Sequence, residues 1–65
     1  MSRQEVLERA PFFLGEMGLN PRRWVLRLVV TPTGYRVYGD DTRCEATIAV
    51  AFYSHKTGHL RGARP

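Results

Sequence analysis

The fold of this protein is decided between Arg23 and Tyr53, where the sequence reads RWVLRLVVTPTGYRVYGDDTRCEATIAVAFY. Within this stretch apolar and polar residues alternate with a period of two, which is the pattern of β-strands with one buried face. Two short runs, Pro-Thr-Gly and Asp-Asp-Thr, interrupt the alternation and are typical of turns. We therefore predict a three-stranded antiparallel meander, with strands over Arg23–Thr31, Tyr35–Gly39 and Arg43–Tyr53.

The pairing of the first two strands depends on the length of the loop between them. A three-residue loop with a glycine bulge suits the Pro-Thr-Gly run, but it pairs Val30 with Arg36. A four-residue loop pairs Val30 with Tyr35 and Leu28 with Val37, so that apolar residues share a face. Because burying an arginine costs more than an imperfect turn, we predict the second register.

The segment before the sheet has the spacing of a helix that packs on the sheet with one apolar side. Ser2 and Glu5 form a capping box, apolar residues follow at helical intervals, and Gly18 suits a C-terminal cap. Pro11 lacks the backbone N–H that a helix interior needs, so we predict either one kinked helix or two short helices. The predicted core consists of Val6, Ala10, Phe13, Leu14, Met17, Trp24, Leu26, Leu28, Val30, Val37, Ile48, Val50 and Phe52.

The size and charge of the chain indicate a small binding domain. A chain of this length buries only about 60% of its unfolded surface, and the single cysteine, Cys44, allows no internal disulfide, so association is the remaining support. We predict one α+β domain over residues 1–53, with Cys44 on the inward face of its third strand, and a basic tail over residues 54–65. Seven arginines and six acidic residues leave residues 1–53 with a net charge of +1, and the tail raises it to +4. The tail is therefore a candidate contact arm.

The sequence contains no signal for a membrane, a metal or a cofactor. No apolar run approaches the ~20 residues that span a bilayer, and the charged N-terminus is unlike a signal peptide, so we expect a cytoplasmic protein without membrane contact. His55 and His59 are four residues apart, but no carboxylate or cysteine near them completes a metal site. Since no catalytic motif is present either, we expect a protein without catalytic residues, metal or cofactor.

In the predicted register the outer face of the sheet carries several arginines. Arg27 lies across from Tyr38, and Arg23, Arg36 and Arg43 share their face. Such a face can stack bases and hold phosphates, although an acidic and an apolar residue dilute it, and a solvated face with one Arg–Tyr pair is the simpler interpretation. The candidate partner-binding residues of the whole chain are Arg27, Arg36, Tyr38, Arg43, Tyr53, Lys56, Arg61 and Arg64.

The third predicted strand offers a second candidate site, its edge. It is much longer than its neighbour Tyr35–Gly39, and Ala49 and Ala51 make its outer side smooth and uncharged. Natural edge strands are usually protected by charge, proline or a bulge. Either this strand bends or ends early, or it adds to the sheet of a partner or of a second copy. Pairing with a second copy would give a homodimer through residues 43–53.

Three functions are compatible with these features. The first is a small non-enzymatic regulatory or inhibitory protein that binds and occludes a larger protein or ribonucleoprotein; inhibitors of host defence encoded by phages and mobile elements are often this short. The alternative is a nucleic-acid-binding module that uses the arginine face and the tail on RNA or DNA phosphates. The third is a small toxin-like ribonuclease that uses Tyr53, His55, Arg43 and Lys56.

Overall fold

The helical segment comes first in the chain, and the strands then follow across the sheet in sequence order. The computed structural model describes residues 1–63. Its elements are the helices α1 (Arg3–Arg9) and α2 (Pro11–Glu16) and the strands β1 (Trp24–Thr31), β2 (Gly34–Asp41), β3 (Thr47–Ser54) and β4 (Leu60–Gly62). The strands form one antiparallel sheet of four in the order β1-β2-β3-β4. The predicted α+β class is confirmed, and the sheet has one strand more than predicted.

The helical segment is divided where the proline predicts. Ser2 caps α1, because its Oγ accepts a hydrogen bond from the Glu5 N–H at 3.2 Å. Pro11 occupies the first turn of α2, where its missing N–H costs nothing, and the segment bends between the two helices. Gly18 follows with a φ of +72°, the left-handed conformation that a C-terminal cap requires.

The first hairpin has the predicted register, with the pairs Leu28–Val37, Val30–Tyr35, Arg27–Tyr38 and Val29–Arg36. The strands continue further than predicted, however, and Thr31 pairs with Gly34. Only Pro32 and Thr33 remain in the turn, and the Gly34 N–H donates to Thr31 Oγ1 at 3.0 Å. The apolar pattern therefore decided the register correctly, although it did not give the length of the turn.

A β-bulge interrupts the pairing of the two central strands. Val37 pairs with Ala51, whereas the next residue, Tyr38, pairs with Ala49. Val50 is therefore an extra residue on β3, opposite no partner of its own. Both Val50 and Ala51 are fully buried, as a residue inserted at a bulge allows.

Beyond the bulge the two faces of β3 are exchanged relative to the prediction. Ala51 and Tyr53 face the core, with Tyr53 only 7% exposed, and Phe52 lies on the other face. The prediction placed Phe52 inward and the other two outward, and it was wrong because it assumed an uninterrupted alternation. Val30 was also predicted in the core, but it is 59% exposed because it lies at the turn end of β1, outside the area that the helices cover.

The third strand begins later than predicted, which changes the position of Cys44. Residues 42–45 form a bend, and β3 starts only at Thr47. The bend is held by Asp41, whose Oδ1 accepts from the Arg43 N–H at 2.8 Å, the local Asp–amide bond expected of a turn. Cys44 is therefore exposed, and its predicted place on the inward face is wrong.

Part of the predicted tail belongs to the sheet. Leu60, Arg61 and Gly62 pair with Tyr53, Phe52 and Ala51, respectively, to form β4. This strand occupies part of the edge of β3 that the sequence suggested for pairing with a second chain, because residues 51–53 already pair with β4. Among residues 1–63, β1 forms the opposite edge of the sheet and has no strand beyond it.

The core lies between the helices and one face of the sheet. Its fully or nearly fully buried residues are Val6, Ala10, Leu14, Val37, Val50, Ala51 and Tyr53. The partly buried side chains around them are Leu7, Phe13, Met17, Leu19, Trp24, Leu26, Leu28, Tyr35, Ile48 and Leu60. Within residues 1–63 no helix is long and apolar enough to cross a bilayer.

Gly34 provides a test of the β2–β3 pairing. A Cβ added at Gly34 would lie 1.8 Å from the backbone oxygen of Tyr53, so Gly34→Ala must push the two strands apart. We expect a loss of at least about 2 kcal/mol in the free energy of unfolding, measured by urea denaturation. Gly15→Ala is the control, because no atom lies within 4 Å of that Cβ and alanine favours the helix by up to about 1 kcal/mol. Equal stability of Gly34→Ala and the wild type would contradict the pairing.

Candidate binding face of the sheet

One face of the sheet is covered by the helices and the other is not. Side chains alternate between the two faces along each strand, and the register aligns those of neighbouring strands. We call the uncovered surface the open face. Its residues are Val25, Arg27, Val29, Arg36, Tyr38, Asp40, Thr47, Ala49, Phe52 and Arg61.

A row of two arginines and one phenylalanine crosses the open face. Arg36 on β2 pairs with Phe52 on β3, and Phe52 pairs with Arg61 on β4. The Arg36 guanidinium carbon lies 5.9 Å from the centre of the Phe52 ring, within the range of a cation–π contact. Among residues 1–63 neither arginine forms a salt bridge. With strands ~4.8 Å apart, the two arginine backbones lie about 10 Å apart, on either side of an aromatic ring.

A second arginine–aromatic pair lies beside this row, but its charge is compensated. The Arg27 guanidinium carbon is 5.1 Å from the centre of the Tyr38 ring, and Arg27 Nε donates to Asp40 Oδ2 at 2.9 Å. Asp40 also accepts from Thr47 Oγ1 at 2.6 Å. The Thr47 hydrogen bond and then the Arg27 contact lower the pKa of Asp40. Arg27 is therefore less available to an anion than Arg36 or Arg61.

Asp41 ties the bend after β2 to the start of β1. Its Oδ2 accepts from Arg23 Nε at 3.0 Å and from the Cys44 thiol at 3.2 Å. The hydrogen bond from Arg23, followed by that from the Arg43 backbone N–H, lowers the pKa of Asp41 to about 2. Arg43 was predicted on the outer face of the sheet; because it lies in this bend, it is exposed but is not part of the open face.

Tyr53 is not the surface contact that the sequence predicted. Its ring is buried and stacks on Tyr35 with ring centres 5.5 Å apart, and His55 meets both rings edge-on. The Tyr53 hydroxyl accepts a hydrogen bond from the Met1 ammonium at 2.9 Å. The aromatic residue that the open face presents at this point is Phe52. The sequence pattern did not indicate this exchange. The bulge adds one residue to β3, and a regular alternation of apolar and polar residues gives no sign of it.

The remaining predicted contact residues have separate positions. Arg36, Tyr38 and Arg61 lie together on the open face, and Arg27 lies beside them. Lys56 is exposed in the turn between β3 and β4. Arg64 lies outside the described residues.

The residues suggested for a ribonuclease are not assembled into one site. Arg43 follows the end of β2 that is farthest from His55 and Lys56, and a strand of eight residues is about 25 Å long. The hydroxyl of Tyr53 accepts a hydrogen bond from the N-terminal ammonium. Within residues 1–63, no three His, Cys, Asp or Glu side chains are grouped as a metal ion would require.

Comparison of the chain with protein-family models, with curated proteins and with solved structures finds no match in any of the three. The geometry of the open face is therefore the basis for an inference of function.

Acid titration tests the role of Asp41. A carboxyl whose pKa is lowered by folding contributes stability that is complete above its unfolded pKa of about 4 and is lost as the pH falls through the folded value, about 2 for Asp41. We expect the free energy of unfolding to fall as the pH is lowered through this window. Asp41→Asn should be less stable at neutral pH and should flatten the fall.

Glu45→Gln is the matched control for this titration. Glu45 is exposed, lies four residues from Asp41 and forms no salt bridge among residues 1–63. We expect its unfolding curves to follow those of the wild type from neutral pH to pH ~2. If Asp41→Asn retains the full acid dependence, Asp41 is not the carboxyl responsible.

Proposed function

We propose that this protein is a non-enzymatic regulatory or inhibitory protein that binds a larger protein or ribonucleoprotein through the open face and occludes it. The observation that carries the proposal is the composition of the open face. Val25 and Val29 are 58% and 37% exposed, and Arg36 and Arg61 lie on the same face without a salt bridge among residues 1–63.

The chemistry of this face is that of a protein interface. Exposed apolar side chains gain from burial against a partner, and aromatic and arginine side chains are enriched among residues that dominate binding energy. Arg36 and Arg61 fit acidic side chains or backbone phosphates, both of which a ribonucleoprotein offers. Lys56, exposed on the adjoining turn, extends the positive charge.

Occlusion is the mechanism that suits a protein of this size, because it requires only a surface complementary to the partner. A sheet face backed by helices is a rigid surface, so binding orders few side chains and blocks whatever the partner's surface would otherwise contact. Short inhibitors of host defence in phages and mobile elements work in this way, and we place this protein in that class, acting in the cytoplasm, by analogy of size and composition.

A second candidate function is the binding of single-stranded RNA or DNA. It is favoured by the row Arg36–Phe52–Arg61 together with Tyr38, which lies on the same strand and face as Arg36. Aromatic rings on central strands can stack bases, while flanking arginines hold the phosphates. The two candidates share their surface but differ in their dependence on salt.

Two valine substitutions test the open face as the binding surface. Val25 and Val30 are almost equally exposed, at 58% and 59%, but lie on opposite faces of β1. In quantitative affinity capture from cells of the source organism, we expect Val25→Glu to reduce recovery of the specific partner at least about tenfold and Val30→Glu to leave it unchanged. The affinity tag is placed at the C-terminus, because a tag at the N-terminus would remove the hydrogen bond from the Met1 ammonium to the Tyr53 hydroxyl.

Retention of the partner by Val25→Glu, or its equal loss from both variants, would contradict binding through the open face.

Gel shifts with random RNA and DNA at low and moderate salt then separate the two candidate functions, protein binding and nucleic-acid binding. For a nucleic acid ligand, log K should fall by about 0.7 per contacted phosphate of a single strand for each tenfold rise in salt. A complete lack of shift at low salt eliminates the second candidate.

A further inference from the structure

A cavity opens at one end of the sheet, between the β1–β2 turn and the β3–β4 turn. Its volume is about 720 Å³, which lies within the range of small-ligand sites. Thr33 belongs to one of the two turns, and Thr57 and His59 belong to the other. Arg36, Phe52 and Arg61 line the part that joins the open face.

One backbone hydrogen bond joins the two turns and another closes the second turn, so the cavity is built into the fold. The His55 N–H on one turn donates to the Thr33 carbonyl oxygen on the other at 2.9 Å. The second turn is closed by the bond from the Gly58 N–H to the Ser54 carbonyl oxygen at 2.8 Å, and Gly58 has a φ of +70°. Because this conformation strongly favours glycine, the turn that carries Thr57 and His59 has a defined shape.

The walls of the cavity favour an anion. Two guanidinium groups, those of Arg36 and Arg61, line it together with threonine hydroxyls and the imidazole of His59. Among residues 1–63 no carboxylate lines it, because Asp40 and Asp41 lie at the other end of β2. Guanidinium and hydroxyl donors around one space match the acceptor oxygens of a phosphate group.

The cavity also offers aromatic surface, which phosphate alone does not need. Phe52 lies between the two arginines, and Tyr35 also lines the cavity. Bases stack on aromatic rings and on the planar face of a guanidinium, and Arg36 already lies over the Phe52 ring. A ligand that combines a planar ring with a phosphate uses both kinds of wall.

We propose that this cavity binds a nucleoside phosphate, either free or as the phosphorylated end of a strand. The base stacks against the Arg36–Phe52 pair, and the phosphate accepts hydrogen bonds from Arg61 and from the hydroxyl of Thr57. The proposal does not rest on the function proposed above, because a nucleotide can bind here in the absence of any macromolecular partner, although both proposals use Arg36 and Arg61.

Calorimetric titration with adenosine monophosphate, adenosine and inorganic phosphate tests the proposal on the full-length protein. We expect the nucleotide to bind at least about tenfold more tightly than either of its parts, because only the nucleotide reaches both walls. Arg61→Gln should weaken nucleotide binding at least about tenfold, and Phe52→Leu should weaken the nucleotide but not inorganic phosphate. Arg43→Gln, at the other end of the sheet, is the matched control and should change the affinity less than twofold.

Several results would overturn the proposal. They are equal affinity for adenosine and its monophosphate, an unchanged affinity in Arg61→Gln when circular dichroism shows it folded, and no binding of the nucleotide at millimolar concentration. A hexanucleotide with and without a 5′-phosphate separates the two sources of ligand. Preference for the phosphorylated strand over the free nucleotide assigns a strand end, and the reverse assigns a free nucleotide.

Failure of this proposal can be told apart from failure of the proposed function. Val25 does not line the cavity, so Val25→Glu should bind the nucleotide as the wild type does while it loses the captured partner. Arg61 belongs to both surfaces, so Val25→Glu, and not Arg61→Gln, is the variant that separates the two proposals.

Discussion

The extra residue in β3 is the constraint on which the rest of the structure depends. Val50 has no partner on β2, so the residues after it face the opposite sides from those of a regular strand. Val50 and Ala51 both enter the core as a result, and Tyr53 follows them. Phe52 is turned to the open face, where it lies between two arginines. A regular strand would have placed the tyrosine outside and buried the phenylalanine against the helices.

The short last strand, β4, affects both the edge of β3 and the composition of the open face. The pairing of Leu60–Gly62 with residues 51–53 covers part of the apolar edge of β3, and an uncovered edge invites association with other chains. It also places Arg61 beside Phe52, at the end of a row that begins on β2. A segment with the composition of a flexible tail therefore protects part of the β3 edge. It also contributes one charged side chain, Arg61, to the candidate site.

The distribution of acidic residues along the sheet explains how a domain of low net charge can offer an anion site. Asp40 and Asp41 lie at one end of β2, where each pairs with an arginine of the β1 side of the sheet. At the other end, Arg36 and Arg61 have no such partners among residues 1–63. The net charge counts all these groups together, whereas a bound anion interacts mainly with those within about 10 Å.

The sequence by itself determined the class of fold, the helix break at Pro11 and the register of the first hairpin, because each follows from local backbone chemistry or from an alternation that a one-residue shift would reverse. It also identified Arg36 and Arg61 as candidate contact residues. Only the tertiary structure decided which aromatic residue joins them. The bulge at Val50 is stabilised by packing against the helices and β2, and such non-local packing leaves no pattern in a strand whose residues are nearly all apolar or small.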